Sequence, residues 1–218
     1  MHDTDSFRAI RTLIADDHEL VREGLKKILR TAADIVVAGE ARTGNEVADR
    51  VKELDLDVVV LDISMPGKNG LDVLKDLKRE HPNLPVLILT IHPEDRFATR
   101  ALKAGAAGYI TKDVAAEELV TAIRKVVHMG KYVSPSLAEK LASNLENESG
   151  AAPHELLSER EYQVLCMIGM GKTTKEIAAE LSLSVNTINT YRGRMLSKMK
   201  MTKEAELIRY ALQHQLVE

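Results

Sequence analysis

The sequence predicts an α/β fold, a doubly wound layer on a five-stranded parallel sheet, followed by a separate all-α domain of four helices. Three observations predict it. Short Val/Ile/Leu runs alternate strictly with amphipathic stretches through the first half of the chain, the pattern of parallel strands joined by right-handed helical crossovers. Those runs do not alternate apolar with polar residues, so both of their faces are buried. Beyond a Glu/Asn/Ser/Gly/Pro stretch the strand signals stop, and only helical periodicity remains.

Taken in order, the strand candidates are Leu13-Ile14-Ala15, Ile35-Val36-Val37-Ala38, Val58-Val59-Val60-Leu61, Val86-Leu87-Ile88-Leu89 and Gly108-Tyr109-Ile110. The helical patterns between them run from Glu19 to Arg30, Asn45 to Glu53, Leu71 to Glu80, Asp95 to Lys103 and Ala116 to Met129. From Tyr132 the pattern loosens. Ser136 to Leu145 suits one short helix, and Asn144 to Pro153 reads as a flexible linker. Ser158-Glu-Arg-Glu161 and Thr173-Thr-Lys-Glu176 both match the S/T-x-x-E capping box, each opening an apolar periodic run. Gly169 and Gly171 are placed to stop the first of these runs. A third helix is expected from about Val185 to Met199 and a fourth from about Lys203 to Gln215.

Composition narrows the function. With 44% apolar residues in 218, the chain has material for two real cores. Aromatics are 3% and Trp is absent, which argues against recognition by aromatic stacking. Runs such as Val58 to Leu61 are too short to span a bilayer, and the polar, acidic start is unlike a secretory segment. A cytoplasmic protein without membrane attachment is expected. The single Cys166 cannot form an internal disulfide and lies in an apolar helical pattern, so it reads as packing. The net charge of −3 hides an asymmetry: residues 1–150 carry 21 basic against 25 acidic side chains, and residues 151–218 carry 9 against 8. Between Thr187 and Lys203 stand Arg192, Arg194, Lys198, Lys200 and Lys203 with no acid, so the basic surface is confined to one element.

Strand ends carry the chemistry. In open α/β sheets ligands bind beyond the carboxyl ends of strands. Asp16 and Asp17 follow the first strand, Asp62 the third, Thr90 ends the fourth, and Lys112 follows the fifth. Adjacent first and third strands would bring three carboxylates together. Their repulsion is ordinarily relieved by a hard divalent cation on oxygen ligands. Taken singly, an Asp at a strand end is most often a helix cap or a solvated loop residue. Together with the hydroxyl and the ammonium, the set suits a magnesium ion and a phosphoryl group. His18 and His92 flank it and read as solvated rim positions.

On Ile14-Ala-Asp16-Asp17-His, Val60-Leu-Asp62-Ile-Ser-Met65-Pro66-Gly67-Lys-Asn-Gly70, Leu89-Thr90 and Ala104-Gly105-Ala-Ala-Gly108-Tyr109-Ile-Thr-Lys112, residues 8–130 resemble the CheY/flavodoxin-like receiver domain of two-component response regulators. That resemblance implies that Asp62 is the acceptor of a phosphoryl group from a histidine kinase. It implies that Asp17, Asp62 and the backbone carbonyl of Ser64 bind Mg2+ directly and Asp16 through water. Lys112 and Thr90 would contact the phosphoryl oxygens, and Tyr109 would move with Thr90. A haloacid-dehalogenase-type phosphohydrolase also uses an Asp at a strand end, but it needs a second Asp two residues on, where this chain has Ser64.

In the second half, Val185, Ile188, Met195, Leu196 and Met199 form one apolar stripe on a helical wheel, with Asn186, Asn189, Thr190, Gly193, Arg194 and Ser197 away from it. Arg192 falls within the stripe, which leaves a packing role and a phosphate-binding role equally open. Leu157-Ser-Glu-Arg-Glu161, Gly171-Lys-Thr-Thr-Lys-Glu176-Ile-Ala-Ala-Glu-Leu181 and Ser184 to Met199 resemble the four-helix, LuxR-type helix-turn-helix domain of the NarL/FixJ class. Thr174 departs from the Asn common there. The expected contacts to double-stranded DNA are Lys172, Thr187, Asn189, Thr190, Arg192, Arg194 and Lys198, with Asn189 and Thr190 reading bases. Ala205, Ile208, Ala211, Leu212 and Leu216 form a last apolar set that either packs internally or, by the resemblance, pairs two protomers as a homodimer. The expected organisation is receiver 8–130, linker 131–155 and helix-turn-helix domain 156–218. The function implied is a phosphorylation-dependent transcription regulator. A constitutive DNA binder with an idle receiver is the alternative.

Overall fold

The computed structural model describes residues 8–66, 68, 70–91, 94–135, 137–139, 152–214, 216 and 217. His92, Gly67 and most of the expected Ser136–Leu145 helix and linker lie outside the described residues, as does Gln215. The chain divides into two compact units, Met1–Glu146 and Asn147–Glu218.

In the first unit β1 (Ile10–Ala15), β2 (Ile35–Ala41), β3 (Val58–Leu61), β4 (Val86–Thr90) and β5 (Gly108–Thr111) alternate with α1 (Glu19–Leu29), α2 (Gly44–Glu53), α3 (Gly70–Glu80), α4 (Glu94–Lys103) and α5 (Ala115–Met129). The sheet is wholly parallel, in the order β2-β1-β3-β4-β5, which makes β1 and β3 neighbours. Strand residues two apart share a face. Ile10, Ile14, Val58, Val60, Leu87, Leu89 and Ile110 therefore form one core with Leu25 and Leu29 of α1 and Leu119, Ile123 and Val126 of α5. Leu13, Val59, Leu61 and Ile88 point the other way and are equally buried. Each such side chain contributes about 1.5–3 kcal/mol relative to leaving it in water. Several strands run past the apolar run that predicted them, through Gly39 and Glu40 of β2 for example, because pairing with β1 continues there across a register shift at Thr12/Leu13.

Tyr132, expected in the linker, instead packs on this unit. Its N–H donates to Ala107 O at 2.8 Å and its hydroxyl to Glu118 at 2.6 Å.

In the second unit a 3-10 turn at Pro153–Leu156 precedes α6 (Glu159–Gly169), α7 (Thr174–Glu180), α8 (Val185–Lys198) and α9 (Glu204–Gln213). Pro153 thus opens structure rather than ending a linker. Both expected capping boxes are formed, Ser158 with Glu161 and Thr173 with Glu176. Helix α6 packs on α8 and α9, and α7 on α8. The stop after α6 comes from Gly171, whose φ of 79° is the left-handed conformation. Gly169 remains helical. A Cβ there would lie 2.8 Å from the Ala211 side chain, so this glycine lets α9 approach. Cys166 is buried, in keeping with packing.

Candidate functional site

The sheet topology carries Asp16 and Asp62 to one edge. Asp62 donates its N–H to Ala15 O at 2.9 Å, and Asp16 donates to Ala41 O at 3.1 Å, so both residues are held by the strand ladder itself. Their side chains are only 2% exposed. Lys112 N donates to Thr90 O at 2.8 Å, which fixes the β5 end beside the β4 end. From there its ammonium lies 2.7 Å from Asp62 Oδ2 and 2.5 Å from Asp16 Oδ2. Burial alone would lower the Lys112 pKa, but the two carboxylates outweigh it and hold the ammonium above its ordinary value.

Each carboxylate is also gripped from below. Asp62 Oδ1 accepts from Ser64 N at 3.1 Å, and Asp16 Oδ1 from His18 N at 2.8 Å. The loop after Asp62 returns tightly, Gly70 N donating to Ile63 O at 3.0 Å. A Cβ on Gly70 would fall 2.2 Å from Asp62 O, so only glycine fits. Thr90, at the end of β4, and Tyr109, within β5, are fully buried.

Two carboxylate oxygens at this edge, Asp16 Oδ2 and Asp17 Oδ1, are sealed from solvent and have no hydrogen-bond partner among the described residues. Lys112 Nζ forms an ion pair with Asp16 Oδ2 at 2.5 Å, and His18 Nδ1 lies 2.9 Å from Asp17 Oδ1. Asp16, Asp17 and His18 bring one ligand atom each within 4.8 Å of one another. An Asp17 oxygen without a hydrogen-bond partner, beside the buried Asp16 carboxylate, fits a hard divalent cation.

One residue at this edge escaped the sequence reading. Arg22 is buried in α1, its Nη1 donating to the Asp16 carbonyl at 2.9 Å and its Nε to Glu40 at 2.9 Å. The signal was its spacing, three and seven residues ahead of the buried Leu25 and Leu29.

On α8 the wheel separates as expected at its centre. Ile188, Met195 and Met199 are buried, whereas Val185 at the helix start is exposed and Leu196 half-buried. Asn186, Asn189, Thr190, Gly193, Arg194 and Ser197 are exposed. Thr187 is half-buried and donates its N–H to the Ser184 cap, and Thr190 Oγ1 donates to Asn186 O at 3.0 Å. The expected DNA-facing cations are differently placed. Lys172 pairs with Glu180 at 2.5 Å and Arg192 with Glu204 at 2.7 Å, both near the surface. Lys198 pairs at 2.6 Å with Glu161, a side chain only 3% exposed that also caps α6. Among the described residues Arg194 has no ion-pair partner.

The apolar set expected on α9 resolves into two faces. Leu207, Tyr210 and Ala211 are buried, while Ala205, Ile208 and Leu212 form a stripe at helical spacing that is exposed or half-exposed.

Comparisons with known proteins bear on both halves. The family described as "Response regulator receiver domain" matches residues 12–124, and "Bacterial regulatory proteins, luxR family" matches residues 155–211. The response regulator GacA of Pseudomonas viridiflava is 40% identical over 96% of this chain and 98% of its own. The response regulator UvrY of Escherichia coli K12 is 39% identical over 95% of each chain. Among solved structures, the RcsB response regulator of Salmonella typhimurium aligns with a TM-score of 0.64 at 25% identity, over 93% of this chain and 96% of that one. RcsB from Salmonella enterica serovar Typhimurium bound to promoter P1flhDC in the presence of the phosphomimetic BeF3− aligns with 0.62 at 26% identity, over 93% and 98%.

Proposed function

This chain belongs to the response regulators that join a receiver domain to a luxR-family DNA-binding helix-turn-helix domain, and from that premise we propose that phosphorylation of Asp62 controls its binding to DNA. The proposed organisation keeps the receiver near residues 8–130 and the helix-turn-helix domain near 156–218. The observation that carries the reading is the Lys112 ammonium lodged between the buried carboxylates of Asp16 and Asp62 at the sheet edge.

In the proposed reaction a carboxylate oxygen of Asp62 attacks the phosphorus of a kinase phosphohistidine. The new O–P bond forms as the P–N bond breaks, and the electron pair returns to the imidazole nitrogen. Asp17, Asp62 and the Ser64 carbonyl would hold a magnesium ion directly, and Asp16 through water. When bound, that ion neutralises charge on the transferring oxygens. Lys112 exchanges its carboxylate contact for a phosphoryl oxygen. Thr90 turns its hydroxyl toward the same group, and Tyr109 repacks behind it. With Ser64 two residues after Asp62, where a hydrolase needs a second Asp as acid and base, the acyl phosphate persists and the chain acts as a regulator rather than an enzyme.

On the DNA side Asn189 and Thr190 read bases, and Arg194 leads the grip on phosphate. Lys172, Thr187, Arg192 and Lys198 supply further contacts, the three cations by leaving their carboxylates. The exposed Ala205, Ile208 and Leu212 stripe suits pairing of two protomers on DNA. Support for DNA binding and for a phosphorylated active form comes from the promoter-bound RcsB structure with its phosphomimetic.

Incubation of the whole protein with acetyl phosphate and Mg2+ tests the reading. A stable adduct on Asp62 with increased promoter affinity is the expected result. Absence of an adduct would leave a constitutive DNA binder, and steady phosphate release would mark a hydrolase.

A further inference from the structure

Resting on the reading of the Asp16, Asp17 and Asp62 edge as a divalent-cation site, we propose that His18 is a nitrogen ligand of that site. It then takes imidazole-suited ions of the nickel, cobalt and zinc class as well as magnesium. The backbone brings His18 there. Asp16 Oδ1 accepts the His18 N–H at 2.8 Å, a turn that folds the residue back over the two acids it follows. His18 Nδ1 then lies 2.9 Å from Asp17 Oδ1 and 3.4 Å from Asp16 Oδ1. With metal–ligand bonds of about 2.1 Å, two ligands at a right angle stand about 3.0 Å apart, and at the tetrahedral angle about 3.4 Å apart. The spacings are those of neighbouring ligands on one ion.

Two further observations point the same way. Asp17 Oδ1 is sealed from solvent and has no hydrogen-bond partner among the described residues, although a ring nitrogen lies 2.9 Å away. An ion that both atoms can ligate satisfies them together. In addition, His18 is the N-cap residue of α1, yet its side chain makes no capping bond, so helix initiation does not explain where the ring sits. The ring is 66% exposed, which leaves the site open to ions from solvent. Carboxylate and water ligands suit magnesium, whereas an imidazole shifts preference toward the later transition ions.

The test titrates the full-length protein with Mg2+ and with Ni2+ by calorimetry, without phosphodonor, in wild type, His18→Ala, His18→Asn and Asp17→Asn. Other histidines bind Ni2+ too, so the component scored is the one that Asp17→Asn removes. Both His18 variants are expected to weaken that Ni2+ component about tenfold or more and to leave Mg2+ affinity within about threefold. Pulsed EPR of bound Mn2+ should show an imidazole nitrogen coupling in wild type that vanishes in His18→Ala. If the Ni2+/Mg2+ preference and the nitrogen coupling are the same in wild type and both His18 variants while Asp17→Asn abolishes binding, the cation site stands and the role of His18 falls. If wild type binds neither ion in an Asp17-dependent way, the cation-site reading falls, and this inference with it.

Discussion

The two units keep their functional charge in opposite ways. At the sheet edge of the first, two carboxylates 2% exposed share one lysine, and the surroundings are strand ends held by backbone hydrogen bonds. In the second, cations stand at the surface, and the acids facing Lys172, ahead of α7, and Arg192, on α8, are themselves accessible. Charge in a sealed place is sensitive to one added group, because little solvent screens it. Charge spread along an exposed helix suits a long polyanion that offers many equivalent phosphates. The first arrangement is made to be altered and the second to be matched.

That contrast breaks most sharply at Asp62. Asp62→Ala is expected to lose phosphoryl uptake entirely, with the fold retained because the residue ends a strand rather than filling the core; mass spectrometry after acetyl phosphate treatment reads this. Uptake at the wild-type yield would reassign the acceptor. Next comes Lys112→Met, which should slow uptake about a hundredfold, the usual size for losing a donor aimed at developing charge. A rate within threefold of wild type would mean that the lysine only balances the resting carboxylates.

Smaller effects sharpen the other side of the comparison. Asn189→Ala should cost about 1–3 kcal/mol at one base position. Arg194→Ala should weaken all sequences alike and flatten the salt dependence by roughly 0.9 of a unit. Equal losses from both variants on specific and random DNA would undo the division between reading and gripping. The smallest change concerns Lys198, which breaks the contrast by serving a buried acid within the basic helix. Burial pushes the Glu161 pKa up, but Lys198 and the Ser158 N–H more than offset it, so the folded value lies below the ordinary one. Stability from this pair is therefore present above the unfolded glutamate pKa of about 4.3 and lost as pH falls through the lower folded value. Lys198→Met should destabilise the unit by about 1–2 kcal/mol near neutrality and move acid unfolding to higher pH. A salt dependence of DNA binding altered as much as by Arg194→Ala, with acid unfolding unmoved, would make Lys198 a DNA contact alone, with no share in holding Glu161.

Much of this was legible because it depends on near neighbours in sequence. The strand runs, the two capping boxes and the acids at strand ends follow from local pattern plus the rule for parallel crossovers. What escaped depends on partners far along the chain. Lys198 meets Glu161 at a separation of 37 residues and Arg22 meets Glu40 at 18, and no periodicity announces either pair. The set expected on α9 divides between two faces for a related reason. A wheel gives angular spacing, but the buried face is chosen by where α6 offers Gly169, and that draws in Ala211 with Leu207 and Tyr210. Tyr132 looked like linker because a single isolated bridge to Gly108 has no run of apolar residues to advertise it.

Arg22 has a consequence of an evolutionary kind. Its guanidinium joins the carbonyl of Asp16, at the end of β1, to Glu40 in β2. Replacing Arg22 alone leaves the half-buried Glu40 with Lys26 as its one remaining cation and frees a carbonyl beside the acidic edge. Replacing Glu40 alone leaves a buried cation short of its counter-ion. Neither position can drift by itself, so lineages that change one are expected to change the other, and the pair should be inherited as a unit even where the surrounding surface of α1 diverges.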